Sequence, residues 1–222
     1  MHSRTAIRGA VVGMLLVAGV ASAQATATPP AGQWTVDSGQ TVGDGANVVR
    51  GQVGWPGIWG DFIHGMDPTF DFGGRFGFNY GFQGSTQGGG GVGLIFQALL
   101  RKQIADFGGP KLALTFNPGF MIYFPSGTTT TGIIFPIEGQ VGFQVADKVV
   151  VNASFGLPMY ATFGDFGAFY LPIMFGGGVE YLLQPDLALT FKLQMGPTIR
   201  TGTFSGSFFT LETMLGVAFK LH

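Results

Sequence analysis

Catalysis or metal binding needs reactive side chains at workable spacing, and this 222-residue chain offers few of them. It has no cysteine, which excludes thiolate catalysis, thiolate metal sites and a disulfide framework. It has three histidines, His2, His64 and His222. Only His64 lies within the body of the chain, beside the turn-forming Met66-Asp67-Pro68, and a histidine placed there without a Ser or Asp partner reads as an interfacial or turn residue. No His/Asp/Glu cluster offers metal-ligand spacing, so no metal or other cofactor is expected. Gly88 to Gly91 could cradle a phosphate, but such a loop needs a Gly-Lys-Ser/Thr run opening a helix, and Val92 follows instead. A flexible hairpin loop is the better reading.

What remains is a dispersed set of polar residues. They are Asp71, Arg75, Asn79, Arg101, Lys111, Glu138, Gln140, Glu180, Lys192, Arg200, Glu212 and Lys220. Six of the ten charges are basic and four acidic. Such a set could line a pore with a slight preference for anions, or neutralise itself as a salt-bridged filling. The elements that carry these residues decide between the two.

Those elements have a period of two. In residues 70–82, FDFGGRFGFNYGF, the even positions are Phe70, Phe72, Gly74, Phe76, Phe78, Tyr80 and Phe82. The odd positions are Asp71, Gly73, Arg75, Gly77, Asn79 and Gly81. Successive side chains of a strand point to opposite faces, so one face here is aromatic and the other polar or small. The pattern recurs: Ile133, Phe135, Ile137, Val141 and Phe143 oppose Glu138 and Gln140, and Leu187, Leu189, Phe191 and Leu193 oppose Lys192 and Gln194. Residues 92–101, 111–124 and 149–160 follow it more loosely.

A soluble sandwich and a membrane barrel both alternate in this way; they differ in which face is wet. The chain is 46% hydrophobic and only 10% charged, with 39 glycines and 23 phenylalanines. Soluble domains carry about 25% charged residues. A polar phase of Gly, Ala, Ser, Asn and Gln with about one charge per strand is too sparse for a solvated surface. It suits a cramped lumen. The runs exceed the ~9–11 residues of a tilted membrane strand, and backbone in lipid must close on itself to leave no edge. The predicted fold is therefore all-β, a closed antiparallel up-and-down transmembrane β-barrel. Eight strands are clear, at 70–82, 92–104, 111–124, 132–145, 149–161, 168–183, 187–200 and 208–221. Residues 46–64 supply one strand or, bent at Pro56, two; bacterial barrels have even counts, which favours ten strands over eight.

Residues 1–23 read as a signal peptide, with Arg4 and Arg8 ahead of an apolar stretch and Ala21-Ser22-Ala23 as the cleavage site. Residues 24–45 read as a flexible N-terminal leader, and 46–222 as the barrel. Short turns at 105–110, 146–148 and 184–186 alternate with Gly/Thr/Ser-rich links at 83–91, 125–132, 161–167 and 201–207. Short turns belong in the periplasm and longer loops outside, which puts the C-terminus in the periplasm. Lys102 falls on the lipid phase near a turn, where it can snorkel. Trp34, Trp55, Trp59, Tyr80, Tyr123, Tyr160, Tyr170 and Tyr181 are expected in the interfacial aromatic belts. With a formal charge of -1 there is no reason to expect a nucleic-acid partner.

The segments Gly54-Trp55-Pro56-Gly57, His64-Gly65, Asp71-Phe72-Gly73-Gly74 and Asn79-Tyr80-Gly81 resemble small outer-membrane barrels of Gram-negative, myxobacterial-type bacteria. The plan as a whole is similar to that of OmpA/OmpX-like barrels. Gly216, Phe219 and Leu221 resemble the C-terminal assembly signal of this class, with Met214 and His222 departing from its pattern. The resemblance implies periplasmic chaperones and the outer-membrane assembly machinery as partners during biogenesis, and outer-membrane lipid and lipopolysaccharide as surroundings. The expected role is structural or interactive around a largely side-chain-filled lumen, without enzymatic activity. A narrow passive pore is the alternative, and a lipid-modifying enzyme at the barrel rim a weaker one.

Parity alone yields a test. Phe78 should meet lipid and Asn79 the lumen, so a bilayer-borne quencher should reach a probe at position 78 and not at 79. Phe78→Arg should cost ~2–4 kcal/mol near the bilayer midplane. Lipid quenchers that reach neither position, with 79 facing bulk water, would replace the barrel by a sandwich.

Overall fold

Alternation with a period of two keeps the backbone extended, because only an extended chain puts every second side chain on one face. In the computed structural model, which describes residues 34–86, 91–125, 128–164, 167–202 and 205–221, this pattern builds twelve strands and, among the described residues, no helix. They are β1 (Asn47–Trp55), β2 (Gly57–Asp67), β3 (Phe70–Asn79), β4 (Val92–Asp106), β5 (Lys111–Phe116) and β6 (Gly119–Phe124). There follow β7 (Thr130–Ala146), β8 (Val149–Thr162), β9 (Ala168–Pro172), β10 (Met174–Gln184), β11 (Leu187–Gly202) and β12 (Gly206–Leu221).

Two pairs of strands are halves of one stave. β5 and β6 both lie between β4 and β7, interrupted at Asn117-Pro118, where the proline cannot donate to the ladder. β9 and β10 both lie between β8 and β11, interrupted at Ile173, whose N–H donates to Pro197 O at 2.9 Å. Ten staves result, each antiparallel to its neighbours in chain order. The first and last pair from Asn47↔Leu221 to Trp55↔Thr213, which closes the ring and leaves no edge. Residues 46–64 do supply two strands, turning at Pro56.

The two faces are inverted relative to a soluble protein. Outward, Phe62, Phe72, Phe76, Phe120, Phe155, Phe175 and Phe219 are exposed. Inward, Arg50, Asp61, Asp71, Arg101 and Glu180 are buried. The short connections at 68–69, 107–110, 147–148 and 185–186 share one end, the short-turn end, while the longer links share the other, the loop end. The signal segment 1–23, residues 24–33, the glycines 88–90, His2 and His222 lie outside the described residues.

Three expectations are corrected. Residues 34–45 do not form a leader outside the barrel; they fold into the lumen at the short-turn end, with Trp34, Thr35, Val36, Ser38, Thr41 and Val42 all buried. The physical reason is space: the inward positions there include Ala113, Gly142, Ala188 and Ala218, whose small side chains leave room in a ten-stave ring. Second, β3 stops at Asn79 rather than running to residue 82. Tyr80 and Gly81 donate to Pro56 O, and Phe82 turns inward instead of facing lipid. Third, of the aromatics expected in the belts, Tyr80 and Tyr181 are exposed, but Trp34, Trp59, Tyr123, Tyr160 and Tyr170 are buried inside.

Inward glycines make room for the large inward residues. A Cβ at Gly77 would fall 2.7 Å from Trp59 Cδ1, whereas one at the outward Gly60 would meet nothing within 4 Å. Gly77→Val should cost ~1–3 kcal/mol through overpacking. Gly60→Val should stay within ~0.5 kcal/mol, as read from the denaturation midpoint in detergent micelles.

Candidate functional site

The lumen is the site, and it has three storeys. At the short-turn end sits the plug, residues 34–45. Its ends are drawn together by Thr35 N–H donating to Thr41 O at 3.3 Å and by Thr35 Oγ1 donating to Gln40 O at 2.5 Å. The barrel wall reads its main chain. Val36 N–H donates to Glu180 Oε2 at 2.8 Å and Asp37 N–H to Glu180 Oε1 at 3.0 Å. Arg101 Nη2 donates to Thr35 O at 2.7 Å, and Val42 N–H donates to Asp71 at 3.2 Å. Around these bonds Val36, Val42, Val48, Ile63, Ala188 and Ala218 form an apolar cluster. Trp34 Nε1 donates to Pro185 O at 2.9 Å, and Lys220 Nζ to Val42 O at 3.5 Å.

The middle storey is ionic. The register of β1, β2 and β3 sets Arg50 opposite Asp61 and Asp61 opposite Arg75, so one carboxylate lies between two guanidinium groups. Arg50 Nη2 is 2.5 Å from Asp61 Oδ2, and Arg75 Nε is 2.7 Å from Asp61 Oδ1. Arg75 also stacks over the Trp59 ring at 4.5 Å. Arg50 reaches on to Asp37, tying the plug into the network. Burial pushes the Asp37 carboxyl up, but Arg50 and then Lys192 outweigh this and hold it below the usual carboxylate range. Across the lumen Glu138 accepts from Gln140 Nε2 at 3.0 Å, Lys192 Nζ at 3.0 Å and Gln194 Nε2 at 2.8 Å, while Lys192 lies 3.4 Å from Glu212. Arg101 pairs with Asp71 across β3 and β4.

The loop-end storey is aromatic. Phe82 stands edge-on to Tyr123, Tyr160 and Tyr170 at 4.8, 5.8 and 5.9 Å between centroids, and Tyr160 stacks on Tyr170 at 4.4 Å. Asn79 locks this layer to the ionic one. Its Oδ1 accepts from Trp59 Nε1 at 2.8 Å, and its Nδ2 donates to Tyr123 OH at 2.7 Å.

The residues picked out by period two thus fall into separate groups. Glu138, Gln140, Lys192 and Glu212 meet one another; Asp71 and Arg101 pair and, with Glu180, hold the plug; Arg75 and Asn79 bridge storeys. Lys111 pairs with Asp106 at 3.6 Å on the short-turn rim, and Arg200 is half-buried near the loop end. Gly216 faces inward against Thr190 and Gln52, while Phe219 and Leu221 face out on the strand that closes the ring. His64 hydrogen-bonds Asn47 at 2.9 Å near the short-turn end.

Missing from that set are Asp37, Arg50, Gln52 and Asp61. The run 46–64 shows its phase only once Pro56 is known to be a turn, since Arg50 lies on an even position and Asp61 on an odd one. Among the described residues Arg50, Arg75, Arg101 and Lys192 meet the carboxyl groups of Asp37, Asp61, Asp71, Glu138 and Glu212, while Glu180 and Lys220 bind the plug's main chain and Arg200 is half-buried near the loop end.

No family model matches the sequence, and no curated protein is significantly similar to it. Among solved structures the chain is similar to the KdgM porin in complex with disordered oligogalacturonate. That likeness has 11% identity and a TM-score of 0.37, and covers 80% of this chain and 99% of that one. It is also similar to a mutant of the Rh. blastica porin, with 7% identity and a TM-score of 0.18 over 79% of this chain and 99% of that one. At such scores neither likeness bears on what this barrel binds or conducts.

Asp61 is the carboxylate that two buried guanidinium groups share. Asp61→Ala leaves Arg50 and Arg75 buried side by side without their shared counter-charge, and should cost ~3–5 kcal/mol. Asp106→Asn, on the exposed rim, should cost ~0–1 kcal/mol. The shift in unfolding midpoint of the two variants checks the contrast.

Proposed function

We propose that the chain is an integral outer-membrane barrel whose lumen is closed at rest and whose role is structural or interactive. The observation that carries this reading is the inversion of the two faces. A ring of exposed phenylalanines surrounds an interior of paired charges, and a surface so continuously apolar demands an apolar solvent. β4, β7, β8, β11 and β12 run 14 to 17 residues, enough to cross hydrocarbon with tilt. The short-turn end and the C-terminus belong in the periplasm, and the loop end meets lipopolysaccharide. Lys102, half-exposed and donating to Thr69 Oγ1 at 2.7 Å, sits where a snorkelling cation would mark the interface. Gly216, Phe219 and Leu221 would present the assembly signal to the chaperones and the insertion machinery.

One observation favours the narrow pore as a second reading. A cavity of about 50 Å³ persists in the ionic storey, lined by Arg75, Arg101, Asn117, Glu138, Gln140 and Lys192. The rim enzyme finds no support from His64, which is engaged by Asn47 at the short-turn end.

Reconstituted into a planar bilayer, the wild-type protein should give no stepwise current under applied voltage. Resolved steps would replace the closed-lumen reading by the narrow pore. Folding is checked independently by electrophoresis in detergent, where unheated and boiled samples should migrate differently. A single heat-insensitive band would end the membrane-barrel reading altogether.

A further inference from the structure

A segment that merely fills space would be met by apolar side chains, because burying charge is costly unless every charge is answered. The wall facing residues 35–42 adds buried charged groups to the apolar ones. Glu180, 4% exposed, offers one carboxylate oxygen to each of two successive backbone N–H groups, those of Val36 and Asp37. Arg101, 6% exposed, donates to the carbonyl just before them, that of Thr35. Asp71, held by that same arginine, takes the N–H of Val42. Three charged residues on three strands thus recognise four main-chain groups. Such contacts are indifferent to side-chain identity, as in proteins that capture peptides by their backbone. Selectivity comes from elsewhere: Val36 and Val42 enter the apolar cluster, and Asp37 is answered by Arg50.

The covalent link to the barrel contributes little to this recognition. Asp44 and Gly45 are exposed, and a Cβ added at Gly43 or Gly45 would meet nothing within 4 Å. The link is an exposed turn fixed by Gly45 N–H donating to Gly65 O at 2.8 Å and Ala46 N–H to Gly43 O at 3.1 Å, bonds that do not involve residues 35–42, and the plug is held by its own contacts.

We infer that the short-turn end of the lumen is a peptide-binding site, occupied in cis by residues 35–42. It can take in trans a turn-forming peptide carrying an apolar-acidic pair and a second apolar residue five positions after the acid. The inference goes beyond the closed-lumen reading, and its test measures peptide exchange rather than current, so either can fail alone.

The test uses the full chain, folded in detergent, with a protease site inserted between Asp44 and Gly45 and cleaved after folding. The probe is a fluorescein-labelled synthetic peptide of residues 34–44. The resident fragment should stay with the barrel through purification, then exchange for the probe to one peptide per barrel. A scrambled peptide, or one carrying Asp37→Ala, should bind at least tenfold more weakly. Uncleaved protein should take up less than a tenth of the label. The chain has no cysteine of its own, and a Cβ at Gly142 would lie 2.8 Å from that of Ser38. A Ser38→Cys/Gly142→Cys pair can therefore form a disulfide after a shift toward the usual ~3.8 Å. Once oxidised it should block exchange, and reduction should restore it. The inference is overturned if the fragment departs and the still heat-modifiable barrel binds no probe. It is equally overturned if the fragment never exchanges, if the scrambled peptide binds as well, or if uncleaved protein binds the label equally.

Discussion

Everything inside this protein answers to one constraint: a sheet that closes on itself encloses a volume that its own inward side chains must fill and neutralise. Pairing of β1 with β12 removes the edge that lipid or a second chain would otherwise exploit. Eight staves are just filled by side chains, and ten enclose more. Part of the excess is taken up by large inward residues such as Trp59 and Tyr123, accommodated by Gly77 and Gly93. At the short-turn end several inward positions are small, Ala113, Gly142, Ala188 and Ala218 among them, and there the chain feeds its own N-terminal segment into the gap.

The same closure governs the charges. Water is scarce in a filled lumen, so each ion must find protein partners at high stakes. The antiparallel register supplies them economically: Arg50, Asp61 and Arg75 stand directly opposite one another on three adjacent strands, needing no long reach. Glu138 instead gathers Lys192 and Gln194 from the stave three further round the ring, which braces the wall. Asp37 joins the two sides, since Arg50 binds it directly and Lys192 acts on it electrostatically.

How much of this the sequence discloses follows from what period two can encode. Asp71, Arg75 and Asn79 against Phe72, Phe76 and Phe78 state the faces of β3 outright, because parity is a property of the strand alone. Parity stops at the strand's end. Phe82 continues the aromatic phase in sequence, yet the hydrogen bonds of Tyr80 and Gly81 to Pro56 O turn the chain and swing the ring inward. Tyr123, Tyr160 and Tyr170 sit near strand ends as belt residues would, but on the inward phase, and phase rather than end position decides which face a ring meets. Arg50 and Asp61 lie on opposite parities of one unbroken-looking run, and only the turn at Pro56 reconciles them. The plug carries no periodicity at all; its trace in the sequence is the run of small inward residues that it fills, Gly142 and Ala188 among them.

The two closures differ in physical kind, and this sets how the lumen can respond. At the loop end Phe82 closes the mouth through edge-to-face ring contacts, each worth ~0.5–1.5 kcal/mol beyond burial, from a loop that also carries a left-handed residue, Gln83. At the short-turn end the plug is held by charge-assisted hydrogen bonds to Glu180, Arg101 and Arg50, which are stronger and more directional. Between them lies the Asn79 bridge, whose amide is committed both to Trp59 below and to Tyr123 above. Lifting Phe82 leaves the plug's contacts intact, and withdrawing the plug leaves the aromatic layer in place. A continuous path through the barrel therefore requires two separate events, one apolar and one electrostatic, and no single ligand chemistry favours both.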